Sequence, residues 1–324
     1  MNLLSIADLT VSFDTEAGTV RAVKGVSLTL AAGEILALCG ESGSGKSVTA
    51  MSVPRLLPDG ATLTGSVTLD GAELLGRPDR ELRSLRGKEI SVVFQEPMTS
   101  LNPSFTVGFQ ITEVLRRHER MSRRAARTRA VELLDLVGIP DAARRLGEYP
   151  HQLSGGLRQR VMIAIAVACD PRVLIADEPT TALDVTIQAG VLDVFRALRD
   201  RLGTAIVLIT HDLGVVADIA DRVAVMYAGR IVEQAGVDEL FARPRHPYTR
   251  GLLDALPASA RGGRLREIPG MVPPPYDDPD ACPFAPRCGY ADDACTAARP
   301  VLEPHGDGHL AACFHPSTVE AVDA

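Results

Sequence analysis

The chain has 324 residues, of which 46 % are apolar and 4 % aromatic, and it carries a formal net charge of −7. That length holds one large domain or two modest ones with a sizeable core. The acidic balance argues against a general nucleic-acid binder, which presents basic surface; lysine occurs only at Lys24, Lys46 and Lys88, so each is an informative letter.

The opening MNLLSIADLTVSFD has neither the basic region nor the small-residue cleavage site of a secretory signal. The strongest apolar runs, VMIAIAVAC and TAIVLIT, fall far short of the ~20 residues a membrane-spanning helix needs. The expectation is a soluble chain whose membrane role comes through partners. Residues 3–13 and 20–30 alternate like two strands. GEILALCG (33–40) reads as a buried strand, followed by a glycine-rich loop and a helix to about Leu57. GSVTLDG reads as a strand between turns, and EISVVFQEP as a buried strand ended by Pro97. Residues 108–170 are helical and Arg-rich, either a solvated helix face or a surface for a partner. Strands return at RVLIADEP and TAIVLITHD with a helix between them, and RVAVMYAGRIVEQ reads as a closing hairpin. The alternation predicts an α/β fold with a parallel sheet covered by helices. After about Leu256 the proline-rich IPGMVPPPYDDPDACPFAPRC loses helical periodicity and reads as a separate tail, too short for a normal core.

GESGSGKS, Gly40 to Ser47, fits G-x-x-x-x-G-K-[ST] between a predicted strand and a predicted helix. Glycines let the backbone approach phosphate, and successive N–H groups converge on the anion. Lys46 supplies a point charge to the β- and γ-phosphates, and Ser47 an oxygen to Mg²⁺. Cys39, before the loop, reads as a small buried packing residue. VLIADEPT ends a buried strand at Asp177, the usual second Mg²⁺ anchor of such proteins. Glu178 follows as a candidate general base, although a strand-end Asp-Glu is also a plain helix cap. LSGGLRQR (153–160) opens another helix and offers a second anion site. Two such sites in one chain point to a dimer with nucleotide held between unlike sites. His211 ends a late strand, where active-site residues of open α/β sheets stand.

The tail cysteines follow the spacing C-x5-C-x6-C-x17-C, from Cys282, Cys288, Cys295 and Cys313. Two disulfides are disfavoured in a reducing cytosol. Structural zinc favours closer cysteine pairs, a four-thiolate iron–sulfur cluster tolerates this spacing, and four free thiols stay open as well. His305, His309 and His315 lie nearby in sequence and could replace a thiolate.

These motifs, in this order, resemble those of the ATPase subunits of ABC transporters. GESGSGKS is similar to Walker A, VLIADE to Walker B and LSGGLRQR to the signature motif; Gln95 matches the Q-loop, TALD (181–184) the D-loop and His211 the H-loop. The resemblance implies an ABC-type P-loop ATPase domain over residues 3–255, a mixed sheet core with a helical subdomain at about 97–170. A small irregular cysteine-rich extension over 256–324 follows it. ATP and Mg²⁺ are the implied cofactors. Gly40, Glu41, Ser42, Gly43, Ser44, Gly45, Lys46, Ser47 and Val48 would surround the phosphates, with Ser47, Gln95 and Asp177 at the metal. Glu178, His211 and Gln95 would serve hydrolysis; Ser154, Gly155 and Gly156 would close the partner's site, and Asp184 would link the two sites. Phe13 is the nearest candidate to stack on adenine, although DTEAGTV lengthens the loop after it.

RHPYTRGLLDALP followed by PFAPRC resembles the C-terminal extension of oligopeptide and dipeptide importers, with nickel importers as a sister group. Some members hold a [4Fe–4S] cluster on four tail cysteines, so the resemblance implies one on Cys282, Cys288, Cys295 and Cys313, with Zn²⁺ as the alternative. It also implies two membrane permease subunits, a second ATPase subunit, identical or similar, and an extracytoplasmic substrate-binding protein, with no nucleic acid. The implied location is the cytoplasmic face of the plasma membrane, the cell inner membrane, as a peripheral subunit. Di- and oligopeptides are the implied cargo, with nickel or another small solute as the alternative. A non-transport ABC ATPase is disfavoured, because neither a second ATPase domain nor a long coiled coil is visible.

Overall fold

The computed structural model describes residues 2–16, 18–96, 100–181, 184–256, 267–274, 276, 280–306 and 308–316. Pro97, expected to end a strand, and Ala182 and Leu183 of TALD lie outside the described residues. The strands in chain order are β1 (Asn2–Thr15), β2 (Gly18–Ala31), β3 (Ile35–Cys39), β4 (Ala61–Leu69), β5 (Ala72–Glu73), β6 (Ile90–Val93), β7 (Val173–Asp177), β8 (Ala205–Ile209), β9 (Arg222–Tyr227), β10 (Arg230–Gly236), β11 (Glu303–Pro304) and β12 (Leu310–Ala311). Two compact units form. The first comprises Met1–Leu3, Leu30–Ile35 and Gly76–Ile209; the second comprises Leu4–Thr29, Leu36–Leu75 and Thr210–Ala324.

In the first unit β6, β7 and β8 are parallel, with Val92 opposite Ile175 and Ile175 opposite Val207. Their near-continuous apolar runs follow from burial on both faces. The Arg-rich stretch forms the helices Val107–His118 and Arg123–Leu136, whose inward sides bury Ile111, Leu115, Ala126, Ala130, Leu133 and Leu134. Thr106 and Ser122 cap them, each accepting the N–H three residues on. The arginines between 116 and 127 face outward, as both a solvated face and a surface for a partner require.

The second unit holds a four-stranded sheet in the order β2-β1-β4-β5. It also holds β3 parallel to β9, with Leu36 opposite Arg222, and then an antiparallel series. The β9–β10 hairpin turns at Ala228 and Gly229, both at positive φ, as a two-residue primed turn requires. Parallel pairing thus occurs within β6-β7-β8 and between β3 and β9, beside the antiparallel β9–β10 hairpin. The mixed sheet implied by the family resemblance is found, rather than the all-parallel one that strand–helix alternation suggests.

Two details differ from the sequence reading. The helix after the phosphate loop spans Lys46–Ser52 and stops before Leu57. Arg55 takes φ 52, so the N–H of Leu56 reaches the carbonyl of Met51 and that of Arg55 the carbonyl of Ser52. That is a Schellman stop closed by a residue other than glycine, which a sequence pattern does not flag. The chain beyond Leu256 is not a detached tail either. β12 pairs with β10 and β11 with β12, extending the sheet. Phe284 joins the buried cluster of Ala37, Cys39, Val225, Tyr227 and Tyr248. Strands of two residues carry no readable periodicity, which is why the sequence hides them.

Candidate functional site

In the second unit, β3 (ILALC) is wholly buried and delivers the chain to the phosphate loop. Burial pushes the Cys39 thiol up to about 12, consistent with the packing role read from sequence. Two loop glycines are required by the fold itself. Gly40 has φ 144, and a Cβ there would lie 2.1 Å from the carbonyl oxygen of Met226. Gly45 has φ 101, and a Cβ there would lie 2.5 Å from that of Ala22. Lys46 is buried, and its Nζ donates to the carbonyls of Gly40 and Glu41, each at 2.8 Å. The ammonium is therefore set inside the loop, while Ser42, Gly43 and Ser47 are exposed. A buried cation ringed by a loop without bulky side chains suits a polyphosphate.

His211 is exposed at the C-terminal side of β8, and the neighbouring Asp212 caps the helix Leu213–Ile219 through the N–H groups of Gly214 and Val215. Phe13 is half-buried in β1 opposite Ala61.

In the first unit, β7 ends at Asp177 and Glu178 follows at φ 46. A non-glycine residue in that region is uncommon and marks a place the surroundings over-determine. Here the constraints are visible. The N–H of Glu178 donates to the carbonyl of Ile209 at 2.9 Å. Its Oε2 accepts from Gln95 Nε2 at 3.0 Å and from Thr181 Oγ1 at 2.9 Å. Two neutral side-chain donors thus aim the carboxylate. The sequence marks Thr181 as a partner of Glu178 only by its position three residues on, within EPTT.

Ser154 caps the helix Gly155–Ala166 by accepting from the N–H of Leu157. Gly156 is demanded by packing, since a Cβ would lie 2.5 Å from Ile187 Cγ2. At Gly155 a Cβ would meet nothing within 4 Å among the described residues, so packing against them does not require glycine there. Asp184 caps the helix Val185–Leu202, its Oδ1 accepting from Ile187 N at 2.9 Å. Val185 beside it is 83 % exposed.

The C-terminal cysteines belong to the second unit. Cys282, Cys288, Cys295 and Cys313 line one cavity together with Phe284 and His315, and none of the four is joined in a disulfide. Burial raises Cys282 and Cys288 and pushes Cys313 up to about 11. Backbone N–H groups point at two of the sulfurs, Tyr290 to Cys288 at 3.4 Å and His315 to Cys313 at 3.3 Å. Among the described residues, one group brings ligand atoms within 4.8 Å of one another for a single ion: Asp292, Cys295 and His315. His309 turns elsewhere, to the buried Glu233 at 2.7 Å.

No described helix is long and apolar enough to cross a membrane. Residues 23–181 match the ABC transporter family, and residues 232–295 match the oligopeptide/dipeptide transporter C-terminal region. The chain is 52 % identical over 321 residues to the "Probable peptide ABC transporter ATP-binding protein y4tR" of Sinorhizobium fredii, covering 98 % of this chain and 96 % of that one. It is 53 % identical to the oligopeptide transport ATP-binding protein OppD of Mycobacterium tuberculosis, covering 98 % of this chain and 52 % of that one. Among solved structures, a dimeric ATP-binding cassette, MJ0796, bound to ADP and phosphate after hydrolysis, superposes with a TM-score of 0.65. It is 30 % identical and covers 72 % of this chain and 98 % of that one. With its phosphate loop, the held carboxylate at Glu178 and the matched C-terminal region, the chain belongs to the family of ABC transporter ATP-binding subunits, the ATPases of that system, in the branch that carries the oligopeptide/dipeptide C-terminal region.

Proposed function

We propose that the chain is the ATP-hydrolysing subunit of a membrane importer that takes up di- and oligopeptides. The observation that carries the peptide reading is the C-terminal region at 232–295. Its test is uptake. A host lacking this subunit should lose accumulation of labelled oligopeptides and recover it with the wild-type chain. Unchanged peptide uptake alongside lost nickel uptake would replace peptides with the metal ion as cargo.

Within this reading Lys46 and the N–H groups of Gly40–Val48 would hold the triphosphate. Ser47, Gln95 and Asp177 would ligate Mg²⁺, which supplies charge neutralisation to the phosphates. Glu178 accepts a proton from water, His211 and Gln95 contact the terminal phosphate, and Phe13 stacks on adenine. Ser154, Gly155 and Gly156 close the site of a second ATPase subunit, with Asp184 at the junction. Gly155 supports that arrangement, because none of the described residues would meet a side chain there. The subunit would sit at the cytoplasmic face of the plasma membrane on two permease subunits served by an extracytoplasmic substrate-binding protein. The surface offered to the permeases is in the first unit. Phe105 and Phe109 stack at 4.5 Å and are each over 40 % exposed, beside a pocket lined by Thr112, Arg116, Arg123 and Arg127. Exposed aromatics rimmed by arginine are the composition of a partner contact.

A [4Fe–4S] cluster on Cys282, Cys288, Cys295 and Cys313 completes the proposal. The donor set fits a metal: four sulfurs share one cavity, and N–H groups aimed at two of them favour thiolate. The spacing C-x5-C-x6-C-x17-C is wider than the close cysteine pairs of structural zinc, and this supports a cluster over a single ion. Cys282, Cys288, Cys295 and Cys313 would hold the group as thiolates, and it would tie the extension together. Purified protein should show the broad visible absorption of an iron–sulfur cluster, lost in Cys288→Ser. A colourless, zinc-containing protein with its cysteines intact would exclude the cluster.

A further inference from the structure

Arg287 stands in the single 3₁₀ turn Ala285–Arg287, directly before Cys288, and reaches into the phosphate loop. Its guanidinium grips Glu41 with both prongs, Nη1 to Oε2 at 2.9 Å and Nη2 to Oε1 at 3.0 Å. The other N–H groups are placed as well. Nε donates to the carbonyl of Pro269 at 2.8 Å, Nη1 to the hydroxyl of Tyr227 at 3.4 Å, and Nη2 to the carbonyl of Ile268 at 3.4 Å. The group also lies over the rings of Tyr227 and Phe284, at 5.7 and 5.9 Å. The side chain is 5 % exposed, so the fork has one setting.

Glu41 is the second residue of GESGSGKS, and each of its polar groups is tied. Its N–H donates to the Tyr248 hydroxyl at 2.8 Å, its carbonyl accepts from Lys46 Nζ at 2.8 Å, and its carboxylate lies in the Arg287 fork. Tyr248 and Arg287 both come from the C-terminal part of the chain. The carbonyl that seats the Lys46 ammonium therefore belongs to a residue clamped from outside the loop. The Arg287 charge also offsets a carboxylate that would repel a polyphosphate from within its own binding loop.

We propose that Arg287 is a positioning residue of the nucleotide site: by clamping Glu41 it sets the loop carbonyl that seats Lys46 and neutralises the one acidic side chain of the loop. The inference rests on the reading of Gly40–Val48 as the ATP site. It makes the C-terminal region part of the ATPase machinery rather than an appendage to it.

The test is a double-mutant cycle on the full-length protein with Arg287→Lys, Glu41→Gln and the pair. ATP affinity is read by calorimetry in a Glu178→Gln background, and KM and kcat are read without it. Arg287→Lys keeps the charge and loses the fork. Arg287→Lys should weaken ATP binding about tenfold, a typical coupling between linked sites; Glu41→Gln should weaken it less, because it also removes the carboxylate that repels phosphate. The pair should be no weaker than the weaker single, because both changes remove one interaction. KM should rise with kcat held, whereas loss of folded protein would lower kcat at constant KM. If the parent protein binds no ATP, the nucleotide reading itself fails. If the parent binds ATP and both single variants bind it equally well, or if their losses simply add, the positioning role of Arg287 is wrong and the ATP site stands.

Discussion

Glu178→Gln is expected to bind ATP with the affinity of the wild type and to hydrolyse it roughly 100- to 10,000-fold more slowly, the range lost with a general base. The structure supplies the reason to expect a clean separation. Glu178 Oε2 receives Gln95 Nε2 and Thr181 Oγ1, and a glutamine amide oxygen accepts from the same donors in the same place. The backbone at φ 46 is no harder for Gln than for Glu. What disappears is the ionised oxygen able to take a proton from water. Single-turnover release of phosphate and equilibrium binding of ATP, measured on one preparation, check it. Full turnover in the variant would remove Glu178 from the base role, and lost binding would recast it as a structural or metal-holding group.

The positions proposed for this chemistry are legible because each motif is contiguous. GESGSGKS, VLIADE and LSGG pack their meaning into a few neighbouring residues, and strand–loop–helix context is itself a local pattern. The hairpin at RVAVMYAGRIVEQ was legible for the same reason. What escaped depends on separation along the chain. Tyr248 meets the Glu41 N–H across 207 residues and Arg287 meets its carboxylate across 246, and no periodicity or spacing encodes such a pair. The end of the helix at Ser52 was missed because Arg55, not Gly, takes the left-handed position. The strands β11 and β12 were missed because their pairing is decided by their partner, β10, rather than by their own two residues. The cysteine spacing suggests a site, whereas the convergence of the four cysteines on one cavity beside Phe284, within the core that also holds Cys39, is a tertiary fact.

Lys46→Met should lower ATP affinity roughly 10- to 100-fold, the equivalent of one or two charge-assisted hydrogen bonds. Methionine keeps most of the length and volume of the side chain, so the buried space at this position stays filled. The ammonium is lost, and with it two effects of opposite visibility. One is the charge offered to phosphate, which appears only when ATP binds. The other is already present without nucleotide: the carbonyls of Gly40 and Glu41 lose the donor that now sits 2.8 Å from each. Leaving them without that donor costs roughly 1–3 kcal/mol for a buried acceptor, so the melting temperature of the nucleotide-free protein should fall by a few degrees as well. Lys46→Arg is not a conservative control, because a planar guanidinium cannot take the place of a compact ammonium seated between two carbonyls. Calorimetric binding and thermal unfolding, with and without ATP, separate the two effects. Stabilisation by ATP follows from mass action, so the variant should lose both part of its basal stability and most of its ATP-induced gain. An unchanged ATP-induced gain would mean that Lys46 serves the loop alone, and that the phosphates are held by its N–H groups without help from the one lysine in the motif.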